Sequence, residues 1–139
     1  MATIQEIQAE IVAEFDMFED WMEKYEYIIE LGKNLPIIEA KYKVGNNLIK
    51  GCQSRVWLHA EEQDGKIIYS ADSDAIITKG IVAVLIRVLS NQNAEEIAKA
   101  DLAFIDTIGF KEQLSQTRAN GLVSMIKEMK LYALVYQNK

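Results

Sequence analysis

The sequence predicts an α+β domain: a small three-stranded antiparallel sheet packed against several helices. Three observations lead there. Apolar residues recur at helical spacing from Ile4 to Leu31. The period then shortens to two over Ser54 to Glu62, and Asp64-Gly65 supplies a hairpin turn whose central positions tolerate positive φ. After the hairpin, Ala75 to Leu89 is apolar nearly all round, the pattern of a helix buried at the centre of a fold.

Thr3-Ile4-Gln5-Glu6 reads as a capping box, opening a helix that carries Ile4, Ile7, Ile11, Phe15 and Phe18 on one stripe. A second helix runs from about Asp20 to Leu31, with Trp21, Met22, Tyr25, Ile28 and Ile29 on one side. Gly32 is placed to end it in a left-handed cap. Leu35 to Gly45, with the only proline, reads as a loop. Asn46 to Lys50 is the expected first strand, Ser54 to Glu62 the second and Lys66 to Ala71 the third. In the middle strand Val56, Leu58 and Ala60 face the core, and Arg55, Trp57, His59 and Glu61 face solvent. Asp72-Ser73-Asp74 reads as a helix N-cap cluster. Ser90 to Asn93 breaks the central helix, and Ala94 to Lys99 forms a short one. Phe104 to Leu114 is irregular or briefly helical. Ser115 caps a last helix striped by Leu122, Met125, Met129, Tyr132 and Tyr136.

The chain of 139 residues fits a single domain spanning 1–139, and half of it is apolar, enough for a core. The longest aliphatic run, Ile81 to Ile86, is too short to span a bilayer, and no signal peptide is visible. A cytoplasmic protein is expected. With a formal net charge of −6 and three arginines, the chain lacks the basic stripe that nucleic acid requires. Monomer and weak dimer stay equally open.

Cys52 is the only thiol, in the run Gly51-Cys52-Gln53-Ser54-Arg55-Val56-Trp57. One cysteine makes no internal disulfide and no metal cage by itself, so no resident metal or cofactor is expected. A lone cysteine is often a small buried hydrophobe. Here it falls in the connection between two strands, off any apolar stripe, behind a glycine that permits close approach. His59, the only histidine, lies well down the next strand and is expected to be too distant for a Cys–His dyad. Asp74 is most simply a cap, and Arg118 a surface ion pair or an anion or partner contact.

The run Gly51 to Trp57 resembles the G-C-Q-S-x-V-W signature of the SufE family. Three further blocks agree in order: Glu23 to Gly32, Asp72-Ser73-Asp74-Ala75 with Lys79-Gly80-Ile81, and Leu114-Ser115 with Arg118 and Asn120-Gly121-Leu122. Gln116 departs from the proline of many relatives, and Leu131 to Lys139 is more apolar than the family pattern. The resemblance implies a fold like that of the IscU scaffold and a role in iron–sulfur cluster assembly. Cys52 would accept sulfane sulfur from a pyridoxal-phosphate cysteine desulfurase of the SufS type, stimulate it, and pass the sulfur to a SufBCD scaffold. Gly51, Gln53 and Ser54 would form the active-site loop. Asp74 and Arg118 match positions tied to the desulfurase contact. The pyridoxal phosphate would belong to the partner. Two other readings suit a lone thiol: a stand-alone thiol enzyme, and a regulatory desulfurase-binding module in which Cys52 merely packs.

Overall fold

A computed structural model describes residues 2–51, 54–110, 114 and 116–138, and of 116–118 the backbone alone. The chain folds into an α+β domain with a three-stranded antiparallel sheet whose strands lie side by side in chain order. The elements are α1 (Ile4–Asp16), α2 (Trp21–Gly32), β1 (Val56–Gln63), β2 (Lys66–Ser73), α3 (Ile76–Leu89), β3 (Gln92–Asn93), α4 (Ala94–Ala98), α5 (Phe104–Thr107) and α6 (Gln116–Gln137). Two 3-10 turns, Ala40–Tyr42 and Gly45–Asn47, lie between α2 and β1.

The first helix starts as its capping box predicts, and the second starts at the expected Asp20, which the structure shows to be its cap. Thr3 and Glu6 form the reciprocal capping box, and Asp20 accepts from the Glu23 amide at 2.9 Å. Ile4, Ile11, Phe15 and Ile28 are buried, but Met22 is 74% exposed, so the apolar side of α2 is narrower than its sequence suggests. Gly32 does not form a left-handed cap. It is helical, followed by Lys33 in right-handed geometry. Its role is proximity: a Cβ there would stand 2.9 Å from the Gly80 backbone nitrogen, and a Cβ on Gly80 would stand 2.2 Å from the Ile28 carbonyl oxygen. The two glycines let α2 and α3 cross backbone to backbone. Glu14 ties α1 into the same layer. It takes two hydrogen bonds from Arg87 of α3, at 2.7 and 2.5 Å, and one from the Tyr27 hydroxyl of α2. The Arg87 bonds hold the Glu14 carboxyl below the usual glutamate range against the opposing effect of burial.

The expected first strand is not one. Asn46 to Lys50 contributes a 3-10 turn and a single bridge, Leu48 to Trp57. The third strand is Gln92–Asn93, in the segment read as a helix break, and it pairs with Lys66 and Ile67 of β2. Two residues are too short to show a period.

The buried face of the hairpin is as predicted: Val56, Leu58 and Ala60 lie opposite Ser73, Ala71 and Tyr69, all buried. Its other face is not open. The chain from Pro36 to Ile49 crosses it as a strap. The strap begins on β2, where Ala71 donates to the Pro36 carbonyl and Ile38 donates to the Ala71 carbonyl, each at 3.0 Å. In the middle, Tyr42 stacks on His59 with ring centroids 3.6 Å apart, and Lys43 lies 4.6 Å from the Trp57 ring centroid. At the far edge Ile49 donates to the Val56 carbonyl at 2.8 Å. Trp57, expected in solvent, is therefore buried, and His59 is half-buried.

The apolar tail has a place too. Tyr132 and Tyr136 of α6 donate to the Leu58 and Ala60 carbonyls of β1, at 3.2 and 2.9 Å. Four helical residues advance about 6 Å and two strand residues about 6.7 Å, so the spacings match. These hydroxyls occupy carbonyls of an edge strand that would otherwise be open to another chain. Among the described residues, no helix is long and apolar enough to cross a membrane.

Candidate functional site

The thiol run sits where the strap ends and β1 begins. The Ile49–Val56 hydrogen bond closes the base of this connection. Cys52 and Gln53 lie outside the described residues, but both flanks are placed. Gly51 has φ +91°, a left-handed conformation that disfavours any side chain. Space excludes one as well, because a Cβ on Gly51 would stand 2.5 Å from the Ser124 hydroxyl of α6. Ser54 is half-buried on the other flank.

Asp74 does not cap α3. The N-cap is Ala75, without a side-chain bond, and β2 continues through Ser73. An Asp-Ser-Asp cluster before a helix is ambiguous, because the same short side chains bond equally well to a neighbouring strand. Here Asp74 Oδ1 accepts from the Arg55 amide at 3.0 Å, and the Asp74 amide donates to the Arg55 carbonyl at 3.3 Å. Asp74 thus clamps the chain three residues beyond Cys52. Ser73 Oγ accepts from the Ala75 amide at 3.2 Å and shapes the turn into α3.

Asp72 is not a cap either. It holds Lys43 of the strap at 2.9 Å and Lys79 of α3 at 3.5 Å. Burial raises its pKa, but hydrogen bonds from Lys43 and the Ser73 amide and the two lysine charges outweigh burial. The carboxyl ends below the ordinary aspartate value. Asp72 and Lys43 therefore join strap, sheet and central helix beside Trp57 of the thiol run.

Arg118 lies near the start of α6, six residues before Ser124, and its side chain is outside the described residues, as is the expected cap Ser115. Six residues of helix advance about 9 Å, which puts the backbone of Arg118 on the helix that meets Gly51. The structure thus ties Asp74 to Arg55 of the thiol run and Gly51 to α6, the helix that carries Arg118. His59 is engaged elsewhere: its ring stacks on Tyr42 and its Nε2 is 3.0 Å from Glu61. Sequence reasoning missed Ser124, Lys43 and the strap, since no periodicity marks a contact between distant segments. Among the described residues, no group of three His, Cys, Asp or Glu side chains is placed to hold a metal ion.

Residues 9–133 match the family described as SufE, Fe-S metabolism associated domain. An uncharacterized SufE-like protein of Rhizobium meliloti is 40% identical, covering 87% of this chain and 90% of that protein. An uncharacterized SufE-like protein of Synechocystis is 35% identical, covering 98% and 86%. The SufE-like protein 1 of Arabidopsis thaliana, chloroplastic/mitochondrial, is 36% identical over 90% of this chain, which spans only 34% of that relative. The solution structure of a hypothetical protein from Thermus thermophilus shares the fold, with a TM-score of 0.80 at 15% identity, covering 96% and 97% of the two chains. The four sequence blocks, the family match across most of the chain and these relatives agree: the chain belongs to the SufE family, whose domain is associated with iron–sulfur metabolism.

Proposed function

We propose that this protein accepts sulfur on Cys52 from the persulfide of a cysteine desulfurase, stimulates that enzyme, and delivers the sulfur to an iron–sulfur scaffold of the SufBCD type. The reading is supported by the family's thiol run, whose described flanks are anchored between the strap and β1, Gly51 against Ser124 and Arg55 on Asp74. A connection of this kind can enter a partner's site, which a packed helix cannot.

The transfer needs little from this chain beyond a placed thiolate. Cys52 loses its proton, and its sulfur attacks the terminal sulfur of the desulfurase persulfide. The S–S bond in the desulfurase breaks as a new one forms on Cys52, and the desulfurase thiolate leaves and takes up a proton. No net oxidation occurs. The partner supplies the pyridoxal phosphate, and the reducing cytoplasm is the compartment that suits a free thiol. Arg118 and Asp74 contribute by contact with the desulfurase, and Asp74 also through its clamp on Arg55.

The test is intact mass after incubation with a desulfurase and free cysteine without reductant. The expected result is a gain of one sulfur in the wild type and none in Cys52→Ser. Stimulated desulfurase turnover with no mass gain would instead favour the regulatory module.

A further inference from the structure

Gly51 meets α6 at Ser124. The Ser124 hydroxyl lies 2.5 Å, and its Cβ 3.4 Å, from where a Cβ of Gly51 would be. This leaves no room for a side chain on Gly51 and sets the Ser124 side chain against the Gly51 backbone. Ser124 is half-buried, between exposed Val123 and buried Met125.

The two partners differ in how firmly they are held. α6 runs from Gln116 to Gln137 and buries Leu122, Met125, Met129 and Ala133 in the core. The connection is fastened, on its described flanks, by the Ile49–Val56 bond at its base and by the Arg55–Asp74 pair. If the contact is crowded, the connection yields before the helix does.

We propose that Ser124 is a positioning residue: its small side chain is the seat on which Gly51 rests, and it sets where Gly51, the residue before the thiol, lies against α6. The functional meaning of the seat rests on Cys52 being the sulfur acceptor, but the seat itself does not.

The test uses the full chain with Ser124→Ala and Ser124→Leu. Amide hydrogen exchange over residues 49–56 and alkylation of Cys52 by iodoacetamide are read beside thermal unfolding. Ser124→Ala should match the wild type, since it keeps the seat small. Ser124→Leu should speed both exchange and alkylation by about tenfold, with exchange in α3 unchanged. Ser124→Val, a smaller step in the same direction, stands in if the leucine variant does not fold. Unchanged or slower rates in a folded, enlarged variant would overturn the proposal. So would loosening by alanine equal to that by leucine, which would assign the hold to the hydroxyl and not to size. Neither readout involves a desulfurase, so failure here is separate from failure of sulfur acceptance.

Discussion

One face of the β1–β2 hairpin rests on the apolar core, and the other lies under the strap from Pro36 to Ile49. The core face buries Leu58, Ala60, Ile67, Tyr69 and Ala71, and the Tyr69 hydroxyl donates to the Met129 carbonyl at 2.6 Å. The strap buries Ile38 and Ile49 near its two ends, and between them it is held by a ring stack, a lysine over an indole, an ion pair and a few backbone bonds. Ile37, Val44 and Leu48 of the strap remain largely exposed. The core face is held by area removed from water, and the middle of the strap by a handful of discrete contacts near solvent. Core burial stabilises far more per residue, whereas discrete contacts are easier to undo. The described flanks of the thiol run begin where the strap ends, at buried Ile49.

Substitutions can break this contrast, and the largest effect is expected beneath the core face. Gly80→Ala forces a Cβ to 2.2 Å from the Ile28 carbonyl, where backbone blocks any adjustment. A loss of about 3 kcal/mol or more is expected in urea unfolding. Next, Leu58→Ala removes a fully buried side chain, at a cost of about 3 kcal/mol by the same measurement. On the strap, Tyr42→Ala removes the stack on His59 and should cost about 1 kcal/mol. Its sharper effect is local: faster amide exchange over 37–49 than in β2. A global loss equal to that of Leu58→Ala would erase the contrast.

The smallest effect is expected at Lys43 and Asp72, an ion pair with the lysine side chain 39% exposed. Lys43→Met should cost under about 1 kcal/mol and shrink further in high salt. The same pair sets a pH dependence. The folded Asp72 pKa lies below the ordinary value of 3.8, so between the two the unfolded chain binds more protons. The contribution is therefore full above pH 3.8 and is lost as pH falls through the folded value. Thermal unfolding in acid should show this loss in the wild type and a shallower one in Asp72→Asn.

Much of this fold is legible in order along the chain. The capping box at Thr3, the cap at Asp20, the hairpin turn at Asp64-Gly65 and the buried helix through Leu89 are local signals, each written within a few residues. The errors fall where one sequence serves two geometries. Gly32 suits a left-handed cap or a close crossing, and only the approach of Gly80 decides between them. Asp72 and Asp74 suit a helix cap or a clamp, and the decision lies with Lys43 and Arg55 from elsewhere in the chain. The alternation through Trp57 and His59 describes a half-exposed strand correctly until a strap arrives to cover it.

By itself the sequence determined the α+β class, the order of helices and hairpin, the family and the thiol run that the proposed function uses. These follow from caps, periods and a contiguous motif, which need only neighbours in the chain. Tertiary structure decided the third strand, the strap, the clamp on Arg55 and the seat at Ser124. Each depends on segments far apart in sequence meeting at a distance of a few ångströms, and side-chain periodicity carries no record of which segments will meet.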